Sequence, residues 1–189
     1  MRSFHKFPEP VAAKLRRALY YTNISLDPKE AVKYYRQALE VADEVGMDPF
    51  SDEIIGVKIQ LAALFEKVQN YRRAIDVLEI VRKDCKRWID ERGDKILTEN
   101  WPQVGEISGV GPDEKVAEVK RKRNRLLRKV VGIDVRLGEL YAGEFVMEKE
   151  MAEERLVEAV ETVLRETQRR EREGGVVEAN IPAKFRRVG

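Results

Sequence analysis

The chain has 189 residues, of which 43% are hydrophobic, 37% charged and 7% aromatic, with a formal net charge of +2. This length fits one domain of about 150 residues with appendages. The dense, balanced charge is typical of solvent-flanked helices, and it excludes a disordered chain, a small disulfide scaffold and a strongly basic nucleic-acid binder.

Few residues suited to redox or metal chemistry are present. A single cysteine, Cys85, excludes an internal disulfide, and a single histidine, His5, excludes the usual histidine-rich metal sites. No run of about 18 apolar residues occurs, so no membrane span is expected within these residues.

The chain order predicts a linker over residues 1–8 and then six helices. Asp27, Ser51 and Asn70 are predicted N-caps, and Glu148–Glu150 begins the last helix with favourable negative charge. The predicted helices cover residues 9–25, 28–46, 51–69, 71–92, 114–144 and 149–173.

Two segments of the chain are predicted to be non-helical. Residues 93–113 hold four glycines and two prolines, which exclude a continuous helix, together with apolar residues such as Trp101. An irregular stretch of about 20 residues in a helical protein is usually functional or disordered, so Trp101 either docks onto the helices or stays mobile. The tail 174–189 is expected to form an extended arm.

An internal repeat organises the helices. The second, fourth and sixth predicted helices carry apolar residues at offsets 0, +4, +7 and +11, which lie on one helical face. These sets are Ala31, Tyr35, Ala38 and Ala42; Ala74, Leu78, Val81 and Cys85; and Ala152, Leu156, Ala159 and Val163. A trio precedes each set: Ala18, Leu19 and Thr22; Leu61, Ala62 and Phe65; Leu137, Gly138 and Tyr141. The sequence therefore predicts a domain over 9–173 made of three helical hairpins, at 9–46, 51–92 and 114–173.

Two of these patterns resemble the tetratricopeptide repeat (TPR) family. They are Leu137-Gly138-x-x-Tyr141 and Ala31-x-x-x-Tyr35-x-x-Ala38. The resemblance implies an all-α, right-handed array of helical hairpins. The repeats exceed the usual length of about 34 residues and lack the closing proline, so we expect an elongated, atypical array of three repeats.

The resemblance also implies a concave peptide-binding groove along the first helix of each hairpin. Tyr20, Ile59 and Val135 would be its apolar anchors. An alternative is that these positions only cover the core and that partners bind elsewhere. The projected groove residues are Arg16, Tyr20, Asn23, Ile24, Ile59, Ala63, Glu66, Lys67, Val135 and Glu139.

Nothing in the sequence indicates an enzyme, a metal or a cofactor. Cys85 lies on the apolar stripe of its helix, which favours a buried structural thiol over a reactive one. His5 has no ligand-type residue at a suitable spacing. The acids near Glu150 lack a glycine-bearing calcium loop and are typical of a helix start.

The run from Lys120 to Lys129 holds seven basic residues and no acid. It could contact phosphates of a nucleic acid or of a lipid surface. We favour a solvated helix face, offset by nearby acids such as Glu114 and Glu118, because no stacking aromatic residue is interleaved with the run. No nucleic-acid partner is therefore expected.

Longer phrases point to a narrower group. Phe7-Pro8-Glu9-Pro10-Val11, Glu30–Tyr35 and Gly46–Ser51 resemble the fungal TPR adaptor subunit of the mitochondrial inner-membrane i-AAA protease. The resemblance implies a non-catalytic adaptor that binds unfolded substrate proteins and delivers them to that protease. It further implies a domain that faces the intermembrane space, with a membrane anchor upstream of Met1.

A second class of function stays open at this stage. It is a structural scaffold that assembles a complex through the outer faces of its helices. The sequence leaves the oligomeric state undecided.

Overall fold

The computed structural model of the chain describes residues 6–94 and 112–172, and these contain six α-helices and no strand. They are α1 (Glu9–Asn23), α2 (Pro28–Glu44), α3 (Asp52–Lys67), α4 (Tyr71–Trp88), α5 (Pro112–Ala142) and α6 (Lys149–Arg172). A π-helical turn, Ile89–Gly93, extends α4. The predicted all-α class is confirmed for this part of the chain, and each helix lies within a few residues of its predicted position.

Some predictions fall outside the described residues. Trp101, the tail 174–189 and His5 are among them. At the two edges of the predicted loop 93–113, Gly93 closes the π-helical turn and Pro112 already begins α5. In the predicted linker, Phe7 packs against the N-terminal core.

The predicted caps lie at the starts of α2, α3 and α4. The Asp27 carboxylate accepts hydrogen bonds from the backbone N–H groups of Lys29 and Glu30, at 3.0 and 3.1 Å. The Ser51 hydroxyl accepts one from Ile54 at 3.2 Å. Such caps satisfy N–H groups that lack an intrahelical partner, and each contributes about 1 kcal/mol.

Consecutive helices pack as three pairs: α1 with α2, α3 with α4, and α5 with α6. Contacts of α2 with α3 and of α4 with α5 join one pair to the next. In the first pair, Lys14 reaches Gln37 and Arg17 reaches Tyr34, which is the pattern of an antiparallel hairpin. The predicted division into helical hairpins therefore describes how neighbouring helices pack.

The first two predicted apolar sets are wholly buried, but the third is not. Ala152 and Ala159 are buried, whereas Leu156 is 41% exposed and Val163 48% exposed. The third set therefore differs from the first two. Both side chains lie beside the contact with α5, where Leu156 packs over Gly138 and Val163 lines a groove with Leu127, and no later helix of the described chain covers their other side.

Gly138 permits the close approach of α5 and α6. A Cβ atom at this position would lie 2.6 Å from Cγ of Leu156, which is closer than side-chain carbons can pack. At Gly132, almost two turns earlier on the same helix, no neighbouring atom lies within 4 Å of the position that a Cβ atom would take. The glycine of the Leu-Gly-x-x-Tyr pattern is therefore needed for contact between the helices.

We expect Gly138→Ala to lower the free energy of unfolding, because the new methyl group must push Leu156 aside at a cost of about 1–3 kcal/mol. Gly132→Ala is the matched control and should raise it by up to about 1 kcal/mol through helix propensity alone. Urea denaturation of the two variants measures this difference. Equal stabilisation of both would show that α5 and α6 are not in close contact at Gly138.

Candidate functional site

The residues predicted to form a groove come from α1, α3 and α5. Tyr20 is 47% exposed, Val135 is 40% exposed, and Ile24, just after α1, is 76% exposed. The other exposed members of the predicted set are Arg16, Asn23, Ala63, Lys67 and Glu139. Most of the predicted positions are thus accessible to a partner.

Polar contacts bring the three helices together at this surface. Nζ of Lys67 donates a hydrogen bond to the backbone oxygen of Thr22, at 2.7 Å, and so joins α3 to the end of α1. The Arg136 guanidinium donates to Glu66, with Nε 3.3 Å from Oε1, and so joins α5 to α3. We call the set of exposed groove residues together with Arg136 the A-helix surface.

Arg136 was not among the predicted site residues. Besides Glu66 it contacts Glu139 one turn later, with Nη1 2.6 Å from Oε2. The hydrogen bonds to Glu66 and Glu139 raise the pKa of Arg136 above its ordinary value, so this cation persists at any physiological pH. The pairing of Arg136 with Glu139 could be predicted from their spacing of three residues on one helix. The contact with Glu66 could not, because it spans 70 residues and depends on tertiary packing.

Ile59, the third predicted apolar anchor, is less accessible than Tyr20 and Val135. It is half-buried and packs against the larger core cluster. The apolar part of the A-helix surface therefore depends on Tyr20, Ile24 and Val135.

An aromatic cluster borders Tyr20. Its ring meets that of Tyr21 edge to face at 5.3 Å, and Tyr21 stacks on Tyr34 of α2 at 5.7 Å. The guanidinium of Arg17 lies 5.5 Å from the centre of the Tyr34 ring and donates a hydrogen bond to its hydroxyl. These contacts restrict the rotamers of the cluster, which makes this end of the surface pre-organised.

Several cations of the predicted basic run pair with acids of other elements. Lys122 donates to Asp48, Lys129 lies 3.3 Å from Asp52, and Arg123 contacts Asp94 at 2.6 Å. The acids that offset the run in these contacts come from the α2–α3 turn, the start of α3 and the π-helical turn, not from the nearby acids that the sequence suggested. Much of its positive charge thus serves contacts inside the protein.

The densest cluster of ionised groups joins α4, α5 and α6. Arg82 of α4 donates from Nε to Asp134 of α5 and from Nη2 to Glu158 of α6. Lys86 also donates to Glu158. Arg155 of α6 contacts Glu79 of α4 at 2.7 Å. We call these six side chains the polar network.

Asp134 is the most buried member of the polar network. Its side chain is fully inaccessible, and Oδ2 accepts no hydrogen bond within the described part of the chain. Burial raises the pKa of Asp134, and the hydrogen bond from Arg82 opposes that shift. Arg82 and Asp134 are buried, whereas Lys86 and Glu158 also line a groove between α4, α5 and α6.

Cys85 is buried, as the sequence predicted. Burial raises the pKa of its thiol to about 11, so the reactive thiolate is scarce at neutral pH. Among residues 6–94 and 112–172, no group of three or more His, Cys, Asp or Glu side chains is placed to hold a metal ion. No helix of this part of the chain is both long and apolar enough to cross a bilayer.

Two grooves lie away from the A-helix surface. The larger, of about 950 Å³, runs between the end of α4, α5 and α6, with Leu127 and Val130 among its apolar lining and many charged side chains around them. The smaller, of about 440 Å³, lies between α2 and α4 over Leu61 and Phe65. Neither was predicted, because each is lined by residues far apart in the chain.

Comparisons with known proteins give limited information. No family model matches the chain. A curated yeast protein from Saccharomyces cerevisiae, Protein MRG3-like, is 33% identical over 72 residues, which cover 37% of this chain and 16% of the yeast protein. The chain thus spans about a sixth of the length of that relative. No solved structure matches.

We expect Arg82→Met to lower the free energy of unfolding by about 3–5 kcal/mol, because it leaves the Asp134 carboxylate buried without its cation. Adding Asp134→Leu should recover most of that loss, since an apolar pair replaces the ion pair. Arg87→Met on the same helix is the control. It breaks only an exposed pair with Asp84 and should cost less than about 1 kcal/mol. Urea denaturation measures the stability of all three variants. A double variant as unstable as Arg82→Met alone would contradict the explanation that the loss comes from an unpaired Asp134 carboxylate.

Stability should also fall in acid through Glu166 of α6. Burial raises the pKa of Glu166, but hydrogen bonds from Arg169 and Arg123 outweigh it and bring the pKa from 4.5 to about 2. A carboxyl whose pKa is lower in the folded state stabilises the fold above pH 4.5, and that contribution is lost as the pH falls from 4.5 towards 2.

Glu166→Gln should therefore flatten the dependence of the urea midpoint on pH in this range. Glu161→Gln is the control, because Glu161 is exposed on the same helix and makes no ion pair within the described residues. The same acid dependence in Glu166→Gln and in the unmodified protein would show that the contacts with Arg123 and Arg169 do not stabilise the fold.

Proposed function

We propose that the protein is a non-catalytic, TPR-like adaptor that binds unfolded or extended polypeptide segments along its A-helix surface. The observation that carries this proposal is the pair of contacts, Lys67 with Thr22 and Arg136 with Glu66, that join α1, α3 and α5 into one accessible surface. A surface continuous across three helices can contact several residues of an extended chain at once.

The chemistry of the A-helix surface suits an extended chain. Tyr20, Ile24 and Val135 offer separated apolar contacts for side chains of the bound segment. Between them stand polar groups such as Asn23 and Lys67, which can hydrogen-bond peptide groups that an unfolded segment leaves unpaired. A surface with separated apolar contacts and polar groups between them can bind polypeptide segments of many different sequences.

The finer architecture is part of the same proposal. Three consecutive antiparallel hairpins stack as a right-handed TPR-like array, in which the A helices line the inner side. The trios of α1, α3 and α5, whose members are buried except for the half-buried Leu19 and Leu61, support this arrangement, as does the tight contact at Gly138.

The partner and the location follow from the resemblance alone. We propose that the adaptor delivers unfolded substrates to the membrane-anchored i-AAA protease of the mitochondrial inner membrane. Its repeats would face the intermembrane space.

The variant Tyr20→Ala with Val135→Ser tests the A-helix surface. We expect it to bind a permanently unfolded, fluorescently labelled polypeptide at least about tenfold more weakly, a loss of about 1.4 kcal/mol, because two of the three apolar contacts are removed. Fluorescence anisotropy measures the affinity, and circular dichroism verifies that the helices persist.

Ile80→Ser is the matched control, because Ile80 is an exposed apolar side chain on α4, outside the surface. It should leave binding unchanged. Equal binding by the unmodified protein and by the Tyr20/Val135 variant would refute the proposal that polypeptides bind at the A-helix surface.

A structural scaffold is the second candidate. It is favoured by the groove of about 440 Å³ between α2 and α4, whose lining includes Val32, Leu39 and Val77 on the outer helices. A scaffold would retain its partners in the Tyr20/Val135 variant and lose them when Leu39 is replaced by a charged residue.

A further inference from the structure

The helix α6 carries further apolar side chains that the described part of the chain, residues 6–94 and 112–172, leaves exposed. Its inner face, with Ala152 and Ala159, packs on the rest of the protein. Successive residues of a helix are rotated by about 100°, which places five further apolar side chains within an arc of about 120° on another side. These exposed residues, which we call the α6 stripe, are Leu156, Val157, Val160, Val163 and Leu164. Leu156, at the edge of the stripe next to α5, also packs over Gly138.

The α6 stripe is unusual for an outermost helix. Each of its five side chains is at least 41% exposed, and they follow one another at the helical spacing of a packing face. Isolated apolar residues on a surface are common, but a continuous helical stripe of this kind marks an interface.

Charge is distributed unequally along α6. Residues 149–161 hold two cations, Lys149 and Arg155, against five glutamates, a net charge of −3. Residues 162–172 hold four arginines against two glutamates, a net charge of +2. The helix dipole favours acids at the start and cations at the end, but it does not account for the apolar stripe between them.

An antiparallel copy of the same helix matches both features. If a twofold axis passes through Val160, residues equally distant from it on the two copies face each other. Leu156 then faces Leu164, Val157 faces Val163, and Val160 faces its own copy. The acidic half of each helix lies along the basic half of the other.

The same register also pairs charged side chains beyond the two ends of the stripe. Lys149 and Glu171 are both exposed, both lie within the same arc as the stripe, and each is eleven residues from Val160. At one edge of the stripe, Glu150 comes close to Arg172 of the other copy. A twofold interface needs such a self-complementary patch, and α6 supplies one.

We propose that the protein forms a homodimer in which the α6 stripes of two copies pack antiparallel about Val160. The apolar stripe spans only about 12 Å of a helix about 36 Å long, so the interface belongs to the small and weak class. The dimer therefore dissociates on dilution, and salt weakens it by screening the charges at its ends.

Sedimentation equilibrium over a wide concentration range tests the dimer. We expect the unmodified protein to dimerise and Val160→Lys to raise the dissociation constant at least about tenfold, because two ammonium groups then meet at the axis. Ile80→Lys is the matched control, since Ile80 is 60% exposed and Val160 59% exposed. A monomer at every concentration, or equal loss in both variants, would overturn the proposal.

Charge exchange tests the antiparallel register. Lys149→Glu alone and Glu171→Lys alone should each weaken the dimer, because like charges then face each other across the interface. The double variant should regain the affinity of the unmodified protein. Failure of the double variant to recover would overturn the register centred on Val160.

Crosslinking locates the axis directly. Val160→Cys should be joined to its own copy by a short bifunctional maleimide, whereas Ile80→Cys should not. Cys85 does not interfere, because its thiol is buried and its pKa is raised to about 11. Crosslinking of Ile80→Cys in place of Val160→Cys would place the contact on α4 and overturn the proposal.

Discussion

The C-terminal half of the structure depends on one buried ion pair, that of Arg82 with Asp134. Asp134 is inaccessible and would be costly to bury alone, so the position of α5 against α4 is tied to Arg82, the cation that contacts it among the described residues. Because Arg82 also contacts Glu158, the same guanidinium sets where α6 lies. An apolar core of equal size would tolerate small shifts of these helices, whereas a buried charge pair does not.

The placement of α5 has consequences at the surface. Since Asp134 and Arg136 are two residues apart on one helix, a shift that breaks the buried pair would also move Arg136 away from Glu66. The polar network thus helps to position α5, and with it the part of the A-helix surface that α5 contributes. The aromatic cluster around Tyr21 and Tyr34 gives the other end of that surface its own support.

Much of the local structure could be predicted, because it depends on short-range chemistry. The caps at Asp27 and Ser51 follow from side chains that bond to backbone groups two or three residues away. The apolar spacing located the buried sets of α2 and α4, and the Leu-Gly-x-x-Tyr pattern includes Gly138, at which α5 and α6 approach closely. In each case the information lies within one or two helical turns.

The apolar pattern does not report burial where burial depends on what lies beyond a helix. Leu156 and Val163 follow the same spacing as their counterparts in α2 and α4, yet they are exposed because no further described helix packs over α6. Ile59 has the spacing of a groove residue but packs against the core. Periodicity shows which side chains share a face, and it does not show whether a neighbour covers that face.

The sequence by itself determined the all-α class and the approximate bounds of the six helices, because these depend on propensity, caps and spacing within short stretches of chain. Only the tertiary structure decided the partners of Asp134, the contact of Arg136 with Glu66, the pairing of the basic run and the exposure of the α6 stripe. Those features join residues that are dozens of positions apart, and their energies depend on distances that exist only once the helices have packed.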